Sequence, residues 1–255
     1  MNTARVIAHH TACQLDLNHP DIARAVLDPH DMHRLVMRPF RHWVPDGTPS
    51  SRAQMGILHT ETVSLATNTL TLVIQSRVPG DWTALPASAH ITPPHTMTLD
   101  LTIHTGQHYR FRTVINPARY TTRVTGPRHR TRSGPADASP SQALMWFTSR
   151  LQPQGTPDYD RYPRIGADTT PNALTARTLP TLTSTTRGFR LNRAEIQGHL
   201  TITDPTTFAN TLIHGLGRSR PYGCGLLLAQ PTHITEQQKP TETPAQEGSS
   251  PRARV

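Results

Sequence analysis

Residues 215–225 read Gly-Leu-Gly-Arg-Ser-Arg-Pro-Tyr-Gly-Cys-Gly, four glycines and two arginines in eleven positions. Glycine loses more backbone freedom on folding than any other residue, so such a stretch is a loop, and regular elements must end on either side of it. Upstream, Asp204-Pro205 is an N-cap followed by proline at the first helical position, and Phe208, Leu212 and Leu216 recur at i, i+4 and i+8. A helix over 205–214 follows, stopped at Gly215. Downstream, Leu226-Leu227-Leu228 reads as a short buried strand. Helix, glycine loop, strand is the reverse of a nucleotide-binding P-loop, where a strand runs into a helix whose N-terminus meets phosphate. Here the loop sits at the negative end of the helix dipole, so Arg218 and Arg220 must supply the charge for an anion. Two readings fit: a phosphate-gripping loop of exposed backbone N–H groups and guanidinium forks, or a tight helix-to-strand turn with two solvated arginines.

The charge balance favours a phosphate-rich partner. Lysine and arginine number 26 against 17 acids, for a net charge of +9, and Lys239 is the only lysine. Arginine binds phosphate bidentately and stacks on bases. At 255 residues the chain has room for two small domains with real hydrophobic cores. Cys13 and Cys224 are its only thiols, which encodes neither a disulfide framework nor a zinc knuckle and suits a reducing cytoplasm. No run approaches the roughly eighteen apolar residues of a membrane span, and residues 1–15 lack the apolar core of a signal peptide. A soluble cytoplasmic protein without membrane contact is expected.

In chain order, 4–9 begins a strand, and Asp28-Pro29 repeats the cap-then-proline device with Asp31 placed as in a capping box. The helix over 29–38 halts before Pro39. On its wheel Met32, Leu35 and Val36 share one face, while His30, His33, Arg34 and Met37 lie opposite, so both histidines point away from the core. Arg38 and Arg41 add charge just beyond. After a polar loop over 44–52, strands are expected at 57–63, 70–78, 98–104 and 109–115, with a turn at 79–82. From 123 the composition shifts to Arg123, Arg128, His129, Arg130 and Arg132 among Thr, Gly and Pro, a basic interdomain linker over 123–140. A helix over 141–151 carries Leu144, Phe147 and Leu151. Residues 175–185 and 189–203 form a long hairpin with Arg187, Arg190 and Arg193 near its tip, suited to a nucleic-acid groove. The tail, 232–255, has almost nothing apolar and is expected to be disordered. The order implies an α+β protein of two tandem ferredoxin-like (RRM-like) βαββαβ domains, at 1–122 and 141–231.

Several short motifs then line up. They are Pro29-x-x-x-His33, Pro-Gly-Asp-Trp at 79–82, Tyr109-x-Phe111-Arg112 with Asn116-Pro117, Trp146-Phe147-x-x-Arg150-Leu151, Gly198-x-Leu200 with Asp204-Pro205, and the 215–225 loop. In this order and spacing, over most of residues 4–231, the chain resembles the CRISPR repeat-RNA endoribonucleases of the CasE kind, the processing subunit of type I-E Cascade. The resemblance implies paired ferredoxin-like domains and metal-independent cleavage of a repeat RNA hairpin at its 3′ base. It also implies partnership with other Cascade subunits and no cofactor. It puts the catalytic histidine at His33; the chemistry below makes His30 a helper and Arg220, or Arg218, the cation for developing charge. RNA contacts are expected at Arg34, Arg38, Arg187, Arg190, Gly215, Gly217, Arg218, Ser219, Gly223 and Gly225. Some relatives have tyrosine where His30 stands and lysine where Arg220 stands; His30 still exchanges a proton, whereas Arg220 only stabilises charge.

The chemistry is consistent with those residue types. RNA is cut without metal when its own 2′-OH attacks the adjacent phosphorus, given a base for the hydroxyl, an acid for the 5′-oxygen and cations for the phosphorane. Histidine fills either proton role near neutral pH, and arginine holds developing charge. A non-catalytic RNA-binding module should carry paired aromatics on a strand surface, for which Tyr109-x-Phe111 is the sole candidate. A metal nuclease should show a carboxylate cluster, and there are only 17 acids, several of them in linkers and tail.

Overall fold

The computed structural model describes residues 2–45, 48–117, 122–124, 130–132, 138–156, 162–185 and 187–232. Its first unit begins with β1 (Thr3–Asp16), followed by α1 (Pro20–Leu27) and α2 (Pro29–Met37). Asp28 caps α2 as expected, its carboxylate accepting the His30 N–H at 2.8 Å. Helix α1 had no counterpart in the sequence reading. It is only eight residues long and its N-cap is His19, whose ring accepts the Asp21 N–H; histidine is not among the usual capping residues.

A 3-10 stretch, Arg38–Trp43, and the single turn α3 (Ser51–Gln54) lead into β2 (Leu58–Ser64), β3 (Thr69–Ser76) and β4 (His90–His104). The sheet is antiparallel in the order β2-β3-β1-β4, the ferredoxin-like arrangement. One crossover is reduced. Between β3 and β4 two 3-10 turns, Trp82–Ala84 and Ala87–Ala89, stand where the second helix would be. Pro79, Gly80 and Pro86 deny that segment a continuous helix, and Trp82 packs edge-on to Phe40 at 6.0 Å to cover the sheet instead.

The second unit comprises β5 (His108–Ile115), β6 (Thr122–Val124), β7 (Arg130–Arg132), α4 (Pro140–Thr148), β8 (Ala167–Asp168), β9 (Leu174–Ser184), β10 (Phe189–Ile202), α5 (Pro205–His214) and β11 (Leu227–Pro231). Its sheet runs β11-β5-β10, with β9 pairing most of β10 and β8 pairing Thr201 and Ile202. Strand β5 therefore opens the second unit, and does not close the first as the division at 122 had it. Sequence neighbours usually pair, but here β4 and β5 diverge after the turn at Gly106, and Tyr109, Phe111 and Ile115 point into the second core. The basic segment 123–140 consequently lies inside the second unit, between its first strand and α4. Of it, β6 and β7 pair as a small ribbon, while 125–129 and 133–137 lie outside the described residues, as does the tail from 233. No helix among the described residues is long and apolar enough to cross a membrane.

Each unit has its core, and the two interlock. Cys13, Leu15, Ile22, Met32, Leu35, Phe40 and Leu72 fill the first. The second is built on Tyr109, Phe147 and Phe208, with Phe111 stacked on Phe147 at 5.0 Å, and it also takes in Val6 and Ile103 from the first sheet. Gln75 of β3 donates to the Leu212 carbonyl of α5 at 2.7 Å, a buried link between units. This rigid seam is what fixes the loop after α5 over α2.

Candidate active site and nucleic-acid interface

Helix α5 is the one the loop's flanks imply. Asp204 accepts the N–H groups of Thr206 and Thr207, and Gly215 ends the helix at φ 72°. The loop then doubles back through a 3-10 turn, Arg220–Tyr222, and is pinned at several points. Leu216 N–H donates to the Gly225 carbonyl and Gly225 N–H to the Val114 carbonyl, both at 2.7 Å. Asn116 of the Asn-Pro pair donates to the Ser219 hydroxyl at 2.9 Å, and Arg220 Nε to the Gly217 carbonyl at 3.0 Å.

The glycines have packing reasons. Gly223 and Gly225 are buried at positive φ, and a Cβ there would strike the Glu61 carboxylate and the Leu216 carbonyl respectively. The sequence reading placed both at the RNA; in the fold each is packed against protein. Gly215 and Gly217 are half-buried, and a Cβ would lie 2.9 Å from Leu58 and 2.7 Å from the Trp146 ring. The loop is glycine-rich because protein crowds it; exposed Arg218 and half-buried Arg220 are the groups it offers outward.

Beneath the turn lies His33. It faces away from the first core, as its position on the helical wheel implies, yet it is half-buried because the second unit covers it. The Tyr222 ring meets it edge-on, centroids 6.4 Å apart, and the Pro221 carbonyl faces it. Burial, then the positive charge of Arg52, then that of His30, pulls the His33 pKa down to about 4, against a smaller upward pull from the Pro221 carbonyl. His33 is a neutral imidazole at neutral pH. Arg52 was missed in the sequence reading, where it ended a polar loop. In the fold it is half-buried, donates to the Ile57 carbonyl, and stands near enough to Arg220 for that charge to depress its own pKa, after burial. Neither Arg52 nor Arg220 has a carboxylate partner among the described residues.

A second histidine lies deeper. His59 of β2 is 1% exposed, with Nε2 3.8 Å from Glu61 Oε2, too far for a hydrogen bond. Burial first, then His33, Arg52 and Arg193, pull its pKa down to about 3. Glu61 is instead ion-paired with Arg193 across the two units. Arg193, expected near an RNA-facing hairpin tip, is buried in that pair, its side chain turned toward Glu61 of β2.

The two histidines make acid a destabilising agent. Both folded pKa values lie below the ordinary 6.5, so as pH falls the unfolded chain takes up protons first, and stability declines below about 6.5 and keeps declining toward pH 4. Thermal melts from pH 7 to pH 4.5 should show a falling Tm, and His59→Gln should flatten that fall.

The remaining predicted contacts divide. Arg34 and Arg38 line a pocket between α1 and α2 with Arg24 and Arg41, so four guanidinium groups face two carboxylates, Asp21 and Asp31. Arg38 is bonded to Asp21 at 2.9 Å, and Arg34 lies 3.8 Å from Asp31. Arg187 and Arg190 are exposed at the β9–β10 tip. Ser184 anchors that tip: its hydroxyl donates to Asp28, the cap of α2, at 3.2 Å and accepts the Arg187 N–H. Hairpin tip, α2 and glycine loop are thus brought to one side of the molecule. No group of three His, Cys, Asp or Glu side chains among the described residues could hold a metal ion.

Residues 9–231 match the family described as CRISPR associated protein. The chain belongs to this family. Its fold is that of Cse3 from Thermus thermophilus, solved bound to an RNA representing a pre-cleavage complex, with TM-score 0.63 and 21% identity over 88% of this chain and 99% of that one. It is also that of Cas6e from Escherichia coli K-12, with TM-score 0.60 and 14% identity over 88% of this chain and all of that one. A second Cse3 structure, described as a CRISPR endoribonuclease bound to a 19-nucleotide RNA, has TM-score 0.61 at 21% identity over 89% of this chain and 99% of that one. No curated protein matches the sequence significantly. Within the family's matched span lie both His33 and the loop above it.

Proposed function

We propose that this protein is a metal-independent endoribonuclease that binds a CRISPR repeat hairpin and cleaves it at the 3′ base of the stem, delivering a guide RNA to the Cascade complex. The observation that carries the reading is the neutral, half-buried His33 beneath a loop that brings Arg220 up to Arg52. A neutral imidazole suits removal of the proton from the attacking 2′-OH. Two guanidinium groups with no carboxylate partner among the described residues suit the charge that builds on the phosphorane, and His30 on the same helix suits protonation of the departing 5′-oxygen. The stem's phosphates would run along the arginine-lined pocket between α1 and α2, toward Arg187 and Arg190 at the hairpin tip, with Arg218 and Ser219 at the scissile end. The family match and the Cse3-like fold support the same reading.

Incubating the protein with a repeat hairpin in excess chelator tests it. The expected products carry a 5′-hydroxyl and a 2′,3′-cyclic phosphate, the end groups that internal attack must leave. A 3′-hydroxyl with a 5′-phosphate, or no cutting without added metal, would refute it.

A further inference from the structure

The turn over His33 is held from below by a charge pair between the units. Glu61 lies on β2 of the first sheet, Arg193 on β10 of the second, and both side chains are about nine-tenths buried. The backbone of Gly223 rests on the free side of the Glu61 carboxylate, so closely that no Cβ fits. Gly223 directly follows Pro221 and Tyr222, the residues that cover His33. Its φ of 75° sets the direction in which the chain leaves that turn. On the other side Tyr222 packs against Phe189 of β10, centroids 4.9 Å apart, so the turn is clamped between the pair and the hairpin.

We infer that Glu61 and Arg193, joined beneath Gly223, are positioning residues: they seat the Pro221–Tyr222 turn on His33 and so keep its imidazole enclosed. A buried ion pair is weak evidence of net stabilisation but a good specifier of geometry, since removing either partner leaves a charge uncompensated. The groups facing His33 are His30 on its own helix, Arg52 from α3, His59 from β2, and Tyr222 with Arg220 beyond it from the loop. Burial lowers its pKa most, with Arg52 and His30 adding to it, so the imidazole reports directly on how tightly the turn sits.

The kinetic part of the test rests on the cleavage reading above; the titration part does not. Gly223→Ala forces the turn off the carboxylate while keeping every charge, and Glu61→Asp withdraws that carboxylate by one methylene. In the free protein, titration of the His33 imidazole by NMR should move up by about a unit or more in Gly223→Ala. The double variant Gly223→Ala with Glu61→Asp should bring it back toward the wild-type value. With the hairpin as substrate, kcat should fall roughly ten- to a hundredfold in Gly223→Ala, recover in part in the double variant, and leave the Kd within about threefold. If Gly223→Ala fails to fold, Glu61→Gln replaces it. Losing the negative charge by itself would push the imidazole lower, so an upward move reports loosening of the turn. An unmoved or lowered His33 titration, or a double variant no different from Gly223→Ala, would overturn the inference. A wild-type protein that does not cut the hairpin would sink the cleavage reading and leave the titration to decide this one.

Discussion

In single-turnover assays, His33→Ala should lower the cleavage rate by about 10² to 10⁴, the range a positioned acid or base supplies, while the hairpin Kd stays within a few-fold. The side chain is half-buried under Pro221 and Tyr222, so it offers little surface to hold RNA and much geometry to move a proton. The pH dependence gives a second check on the role. Because the free-protein pKa lies near 4, the acidic limb of kcat/KM should rise with pH through that value, as His33 becomes neutral. In the complex the scissile phosphate favours the charged imidazole, so the corresponding limb of kcat should sit at higher pH. Cutting by the alanine variant at the wild-type rate would remove His33 from the mechanism.

The second large effect concerns the nucleophile. An RNA with deoxyribose at the one nucleotide whose 2′-OH adjoins the scissile phosphate should bind with unchanged affinity and remain uncut, with magnesium present or absent. A nuclease that activates water on a metal would still cut the substituted strand, since its nucleophile comes from solvent. The substitution touches one hydroxyl and no protein atom. Full resistance would therefore place the attacking oxygen on the RNA; residual cutting at that site would place it in water and dismiss the base role given to His33.

What the sequence by itself determined is local. Asp204-Pro205 and Gly215 bounded α5, Asp28-Pro29 began α2, and the 174–202 hairpin and the strands at 58–64 and 69–76 stand where alternation put them. These elements are set by neighbours a few residues away, through caps, proline geometry and period, and such signals survive in one dimension. The family resemblance likewise drew on short motifs at fixed spacing, and it put His33, His30 and the loop on one list. Tertiary structure decided everything that depends on which surfaces meet. It assigned β5 to the second sheet, because the sides its aromatics choose depend on a core built from residues up to Leu227. It buried Gly223, Gly225 and Arg193, whose residue types had suggested RNA contacts, since a glycine's open face and an arginine's partner are set by what packs there: Glu61 for Gly223 and Arg193, the Leu216 carbonyl for Gly225. It brought Arg52 beside His33, though no spacing in the chain distinguishes it from other loop arginines. The depressed His33 pKa belongs to the same class. Desolvation is a property of the assembled interface between the two units, and no pattern within α2 encodes it.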